Sequence, residues 1–185
     1  MLILASASPR RKEILSEHFA NFKVVVSDVD ERAINLSPSE MSLDLAKQKA
    51  YAVFSKHNDD IILACDTIVV FQGKIFNKPV NKDDAKRMLK ALSGNMHFVL
   101  SSYVLISKDF EIAKTVKSIV YFNELDDDLI DRYIESGSPM DKAGAYGMQD
   151  KEFNLVKKII GSHDNVKGLP IESILEDIKR FKIIV

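Results

Sequence analysis

The chain has 185 residues, 46% hydrophobic and 29% charged, with a formal net charge of −1 and one cysteine. That size suits one domain, of two lobes at most, with a real hydrophobic core. The balanced charge gives no footprint for nucleic acid or an anionic membrane, and a lone thiol excludes an internal disulfide.

The opening MLILASASPRR has too short an apolar part for a signal peptide and carries its positive charge on the wrong side. No apolar stretch nears the ~20 residues of a membrane helix, so a cytoplasmic protein is expected. Residues 2–5 read as a short buried strand. Ser8-Pro9 opens a helix, with Ser8 as N-cap, Pro9 in the first turn and Ile14, Leu15, His18 and Phe19 on its apolar face. Residues 22–27 form a second strand, followed by an acidic turn at residues 28–31. A helix over residues 39–54 carries the stripe Leu45, Ala46, Ala50, Val53 and Phe54.

Residues 61–71, IILACDTIVVF, are the most apolar segment and predict a strand that turns at Gln72-Gly73 into a partner over residues 74–77. Asn81 caps a helix that Gly94 ends. Strands are expected over residues 98–106 and 115–122, and a helix from about Asp126 to Gly137. Residues 138–149 read as a long loop, residues 153–160 as a strand and residues 170–181 as a terminal helix. No linker or repeat divides the chain. The expected fold is α/β, a mixed central sheet flanked by helices, within a single domain over residues 1–185.

Four places contradict their surroundings, and such breaks tend to fall at functional sites. Arg10-Arg11-Lys12 puts cations in a first helical turn, where the helix dipole repels them but an anion such as phosphate is attracted. The plain alternative is that these side chains reach into water. Asp66 interrupts an otherwise apolar strand, with Thr67 beside it. A buried carboxylate needs a partner, a metal or hydrogen bonds, so Asp66 reads as a Mg²⁺ ligand, as an acceptor of a proton from water, or as a structural aspartate bonded to backbone. Lys49 projects between Leu45 and Val53 on an apolar stripe while Lys47 points outward. It either snorkels or joins Arg10, Arg11 and Lys78 in clamping a triphosphate. The loop over residues 139–149, with its small residues, would let backbone approach a ligand, with Gln149 reading a base edge through its amide, or else form an ordinary surface loop. No GxxxxGK[ST], GxGxxG, GxSxG, CxxC or HExxH pattern is present, and His57 and His97 are expected at element ends rather than as ligands.

The motifs LASASPRRKEIL (4–15), LAKQKA (45–50), ACDTIVV (64–70), NKP (77–79), LSG (92–94), DKAGAYGMQ (141–149) and GLP (168–170) run in order along nearly the whole chain. This set resembles the Maf family of nucleoside triphosphate pyrophosphatases. The resemblance implies a two-lobed fold like that of inosine triphosphate pyrophosphatase, with the site in a cleft. It also implies metal-dependent cleavage between the α and β phosphates, with Mg²⁺ or Mn²⁺ as cofactor. By position, Asp66 matches the family's catalytic aspartate. Arg10, Thr67 and Gln149 match positions that choose the base, in the combination of the dTTP/UTP branch rather than the branch acting on 7-methyl-GTP. Ser8, Arg11, Glu31, Lys49 and Lys78 match positions lining the phosphate and metal site, with Glu31 assisting Asp66 in holding the metal. Asp150 departs from the family pattern, which has glycine after the glutamine. The partner expected is a nucleoside triphosphate, with neither nucleic acid nor membrane; a homodimer is one option for assembly. The competing reading is a non-catalytic nucleotide-binding regulator of cell division.

Overall fold

The computed structural model describes residues 1–27, 29 and 36–184. The elements run β1 (Leu2–Ala5), α1 (Pro9–Ser16), β2 (Lys23–Val24), α2 (Pro38–Phe54), β3 (Ile61–Phe71), β4 (Lys74–Phe76), α3 (Lys82–Leu92), β5 (Met96–Ile106), β6 (Glu111–Phe122), α4 (Asp127–Glu135), β7 (Val156–Ile160), α5 (His163–Lys167) and α6 (Ile171–Arg180). Seven strands form one mixed sheet in the order β2-β1-β3-β5-β6-β7, with β4 paired to β3, and helices flank it. The parallel pairs β1–β2 and β1–β3 sit beside the antiparallel pairs β3–β4 and β6–β7. Among the described residues no helix is long and apolar enough to cross a membrane.

Two compact units divide the chain. The first comprises Met1–Thr67, Ser101–Val116 and Gly168–Val185, the second Ile68–Leu100 and Lys117–Lys167. In the first unit, strand alternation sorts the core. Leu2, Leu4, Leu63 and Cys65 pack with Ile14 and Leu15 of α1 and with Ile171 and Ile174 of α6. Their alternate neighbours Ile3, Ala5, Ile62 and Ala64 pack on Ala46, Ala50 and Val53 of α2. Successive side chains on a strand point to opposite faces, so β1 and β3 are buried on both sides. Leu15 is wholly enclosed, a burial that contributes about 1.5–3 kcal/mol.

Local chemistry sets the helix starts. Ser8 Oγ accepts the Arg11 N–H at 3.4 Å, and Pro9 occupies the first turn of α1. Glu40 accepts the Ser37 N–H at 3.0 Å as half of a capping box for α2. Asn81 and Asp126 accept from Asp84 and Leu129 at the starts of α3 and α4. In the second unit α3 and α4 run antiparallel, pairing Lys82 with Glu135, Lys86 with Asp131 and Lys90 with Asp127. Their apolar faces, including Leu89, Leu92, Ile130 and Tyr133, share one core with Val69, Val99, Val120 and Phe122.

Several sequence expectations need correction. The second strand shrinks to two exposed residues, and most of the acidic turn after it lies outside the described residues. β6 starts four residues earlier than expected, and β7 starts at Val156 rather than at Phe153, which ends a tight 3₁₀ turn over residues 151–153. His18 is exposed, not part of the apolar face of α1. The expected loop at residues 138–149 contains two 3₁₀ turns, Ser138–Asp141 and Ala143–Ala145, and most of it is packed inward. α5 was not expected from the sequence.

Candidate active site

The apolar run of β3 ends in two polar residues, and strand alternation sends them to opposite faces. Asp66 continues the series Ile62, Ala64 and so faces α2; Thr67 continues Leu63, Cys65 and faces α1 and α6. Asp66 is 7% exposed. Lys49, on the inward face of α2, places Nζ 2.6 Å from Asp66 Oδ1, with side-chain exposures of 12% and 9%. Lys47 is 39% exposed at its side chain and faces outward as expected. The expense of an enclosed carboxylate is thus offset by a charge-assisted hydrogen bond. A structural aspartate bonded only to backbone is not what stands here.

On the opposite face the Arg11 guanidinium is the centre. Nε donates to Gly168 O at 2.8 Å, Nη1 to Ser6 Oγ at 3.3 Å and Nη2 to Thr67 Oγ1 at 3.1 Å. Thr67 Oγ1 also lies 3.2 Å from Gly168 O and 2.8 Å from Ser101 Oγ. The Cys65 thiol donates to the same Gly168 carbonyl at 3.3 Å, and burial pushes its pKa up. Gly168 adopts φ +115°, a conformation that favours glycine, and so turns its carbonyl into this cluster. Arg11 therefore points into the protein, gathering the chain just after β1, the middle of β3 and Gly168, three residues before α6. Three of the five N–H groups of a guanidinium are committed in this way.

Ser8 caps α1 through Oγ while its own N–H donates to Ser6 Oγ at 3.1 Å. Arg10 is half-buried in the first turn. Lys78 and Gln149 are exposed residues of the second unit, Lys78 in a bend after β4 and Gln149 in a turn before residues 151–153. Glu31 lies outside the described residues. The structure joins Asp66 with Lys49, and Arg11 with Thr67 and Ser8. Sequence reasoning missed Ser6, Ser101 and the Gly168 carbonyl as partners. The adjacent pair Ser101-Ser102, wholly buried within apolar β5, was a signal of the same kind as Asp66.

Among the described residues no three His, Cys, Asp or Glu side chains come together as a metal site. Mg²⁺ needs only one or two carboxylates and completes its shell with water and phosphate oxygens, so a single carboxylate at Asp66 is compatible with it.

Fold and site together define a mixed α/β protein with a charged centre where the apolar run of its third strand breaks. Within that class, the chain belongs to the Maf family: the model described as "Maf-like protein" matches residues 1–181. A relative from Thermococcus kodakarensis named dTTP/UTP pyrophosphatase is 46% identical over 175 residues, covering 94% of this chain and 93% of its own. One of the same name from Thermococcus gammatolerans is 47% identical over 174 residues, covering 94% and 93%. Another from Bacillus cereus is 43% identical over 183 residues, covering 98% and 96%. The solved structure of the Staphylococcus aureus Ham1 protein superposes with a TM-score of 0.54 at 14% identity, covering 98% of each chain. That last likeness is one of fold.

Proposed function

We propose that this protein hydrolyses dTTP and UTP to the nucleoside monophosphate and pyrophosphate. The observation that carries the reading is the Asp66–Lys49 pair, an enclosed carboxylate with a lysine 2.6 Å away in a chain whose relatives are named for this reaction. In the proposed step a water oxygen attacks the α-phosphorus while Asp66 accepts the water's proton. The bond from that phosphorus to the bridging oxygen breaks, and pyrophosphate leaves with the electron pair. Lys49 would stabilise charge on the phosphates, and Arg11 and Lys78 are assigned to the phosphate side on the strength of the resemblance. Asp66, with Glu31, would hold Mg²⁺ or Mn²⁺, which when bound neutralises phosphate charge and acidifies a coordinated water. Arg10, Thr67 and Gln149 are assigned to the base side on the strength of the resemblance. The balanced net charge supports a nucleotide rather than a nucleic acid or a membrane as partner, and the free Cys65 suits a reducing cytoplasm.

Pyrophosphate release over a panel of nucleoside triphosphates, with and without Mg²⁺, tests the reading. dTTP and UTP should lead the panel and give monophosphate plus pyrophosphate. Diphosphate plus inorganic phosphate would place the cut at a different bond. Asp66→Asn should lower kcat by about 10²–10⁴-fold, the usual worth of a positioned acid–base group, with folding retained. Near-normal turnover in that variant would remove Asp66 from the chemistry. A wild-type protein that binds nucleotides but releases no pyrophosphate would favour the regulatory reading.

A further inference from the structure

The turn that carries Gln149 is gripped from behind by a buried polar network. Gly147 O accepts the Asp150 N–H at 3.3 Å, so Met148 and Gln149 occupy the centre of a four-residue turn. Both ends of that turn are tied to one phenol. Tyr133, on α4 and wholly buried, donates its hydroxyl proton to Asp150 Oδ2 and accepts the Gly147 N–H at 2.9 Å. Burial and the Asp150 carboxylate push the Tyr133 pKa up, so the phenol keeps its proton. Ser138 Oγ donates to the same Oδ2 at 2.8 Å. Lys142, 7% exposed, donates to Ser138 O, to Ser138 Oγ at 3.1 Å and to Asp141 at 2.7 Å. A Cβ at Gly147 would stand 2.6 Å from Lys142 Cε and 2.8 Å from Asp150 Oδ2, so the backbone lies directly on this network.

Within this turn Gly147 is buried, Met148 and Asp150 are half-buried and Gln149 is exposed. Here one carboxylate takes two hydroxyl donors while its own backbone closes the turn, which fixes the direction in which Gln149 leaves the chain. Support of this kind, behind the residue that touches a ligand, is what holds a recognition group to within fractions of an ångström. We propose that Asp150 is a positioning residue for nucleotide selectivity, acting through Gln149. The proposal rests on the reading that Gln149 contacts the base.

The test compares kcat/KM for dTTP with that for dCTP in wild type, Gln149→Ala, Asp150→Ala, Asp150→Asn and the Gln149→Ala/Asp150→Ala double variant. Asp150→Ala should raise KM for dTTP about 10-fold with kcat within about 3-fold, and lower the dTTP:dCTP ratio about 10-fold, as for one misplaced binding group. Asp150→Asn, whose amide oxygen still accepts from Tyr133, should recover most of the ratio. Adding Asp150→Ala to Gln149→Ala should lower the ratio no further, because the effect runs through Gln149. If Gln149→Ala lowers the ratio and Asp150→Ala leaves it unchanged, or if the two effects add, the proposal is overturned while the base reading stands. If Gln149→Ala leaves the ratio unchanged, the base reading fails and takes the proposal with it. Should Asp150→Ala not fold, Tyr133→Phe/Ser138→Ala carries the test, because together they remove both hydroxyl donors to the Asp150 carboxylate and keep the ring; an unchanged ratio there has the same meaning.

Discussion

Asp66 and Lys49 are two residues that each look expensive in isolation and together account for one another. Asp66 breaks an apolar strand and Lys49 breaks an apolar helix stripe, and the 2.6 Å contact joins the two breaks. Removing one partner leaves the other charge enclosed, which costs more than the pair contributes. Lys49→Met should therefore destabilise the protein by about 3 kcal/mol, read by urea denaturation. Lys49→Met/Asp66→Asn should recover most of that loss while remaining inactive; a double variant as unstable as the single would show that the cost lies elsewhere. Both residues were visible in the sequence as pattern-breakers. Their contact was not, because helix phase and strand alternation fix a face but not the register between α2 and β3. A second residue, His97, read from sequence as a strand-start position, is enclosed at 1% exposure, with Nε2 2.7 Å from Tyr146 Oη. Nδ1 meets no partner among the described residues, and burial lowers its pKa to about 3. The unfolded chain binds that proton near pH 6.5, so between about pH 6.5 and 3 the unfolded state holds the extra proton and stability falls as pH falls. The contribution is up to about 1.4 kcal/mol per pH unit. Denaturation midpoints from pH 7 to 5 should fall less steeply in His97→Gln than in wild type; equal slopes would mean the ring is protonated in the fold.

At the scale of elements, legibility followed how local the determinants were. The starts of α1, α3 and α4 were readable because Ser8, Asn81 and Asp126 cap within three residues of themselves. α5 was not, because HDNVK has no apolar period. It is held from outside, with Asn165 Nδ2 donating to Val99 O at 3.3 Å and to Ser118 Oγ at 3.0 Å. Residues 138–149 misled for a related reason: glycines and alanines read as loop, yet small residues also permit tight packing. Gly144 shows the difference. Its N–H donates to Asn77 O at 3.1 Å, its φ is +70°, and a Cβ there would meet the Val69 side chain at 2.9–3.1 Å. Gly144→Ala should cost about 2 kcal/mol or more from left-handed strain plus overpacking. Val69→Ala in the same protein should relieve the overpacking part, so that the two substitutions together cost less than their sum. Thermal melts of the three variants measure this, and strict additivity would contradict the contact.

Over the whole molecule, three of the four boundaries between the two units fall inside strands, at Thr67/Ile68 in β3, Leu100/Ser101 in β5 and Val116/Lys117 in β6, while the fourth, Lys167/Gly168, follows α5. A search for linkers by composition has nothing to find in such a chain, because an apolar strand reads the same on both sides of the boundary. The sheet, its flanking helices and the family were nevertheless legible, since the motifs lie in order along the sequence and the strands carry their own pattern. Thr67 and Ser101, the residues at which β3 and β5 leave the first unit, touch one another and meet the Arg11–Gly168 cluster. Beneath that cluster lies the single thiol of the chain, fully enclosed, raised in pKa and bonded to the Gly168 carbonyl. Cys65 is thereby a clock that needs no engineering. A disulfide reagent at neutral pH reaches it when the backbone around Gly168 opens, so the labelling rate scales with the population of the open state. Arg11→Ala should speed the reaction by more than 10-fold if the cluster contributes even about 1.4 kcal/mol to closure. A rate that ignores Arg11 would mean the thiol is reached by another route.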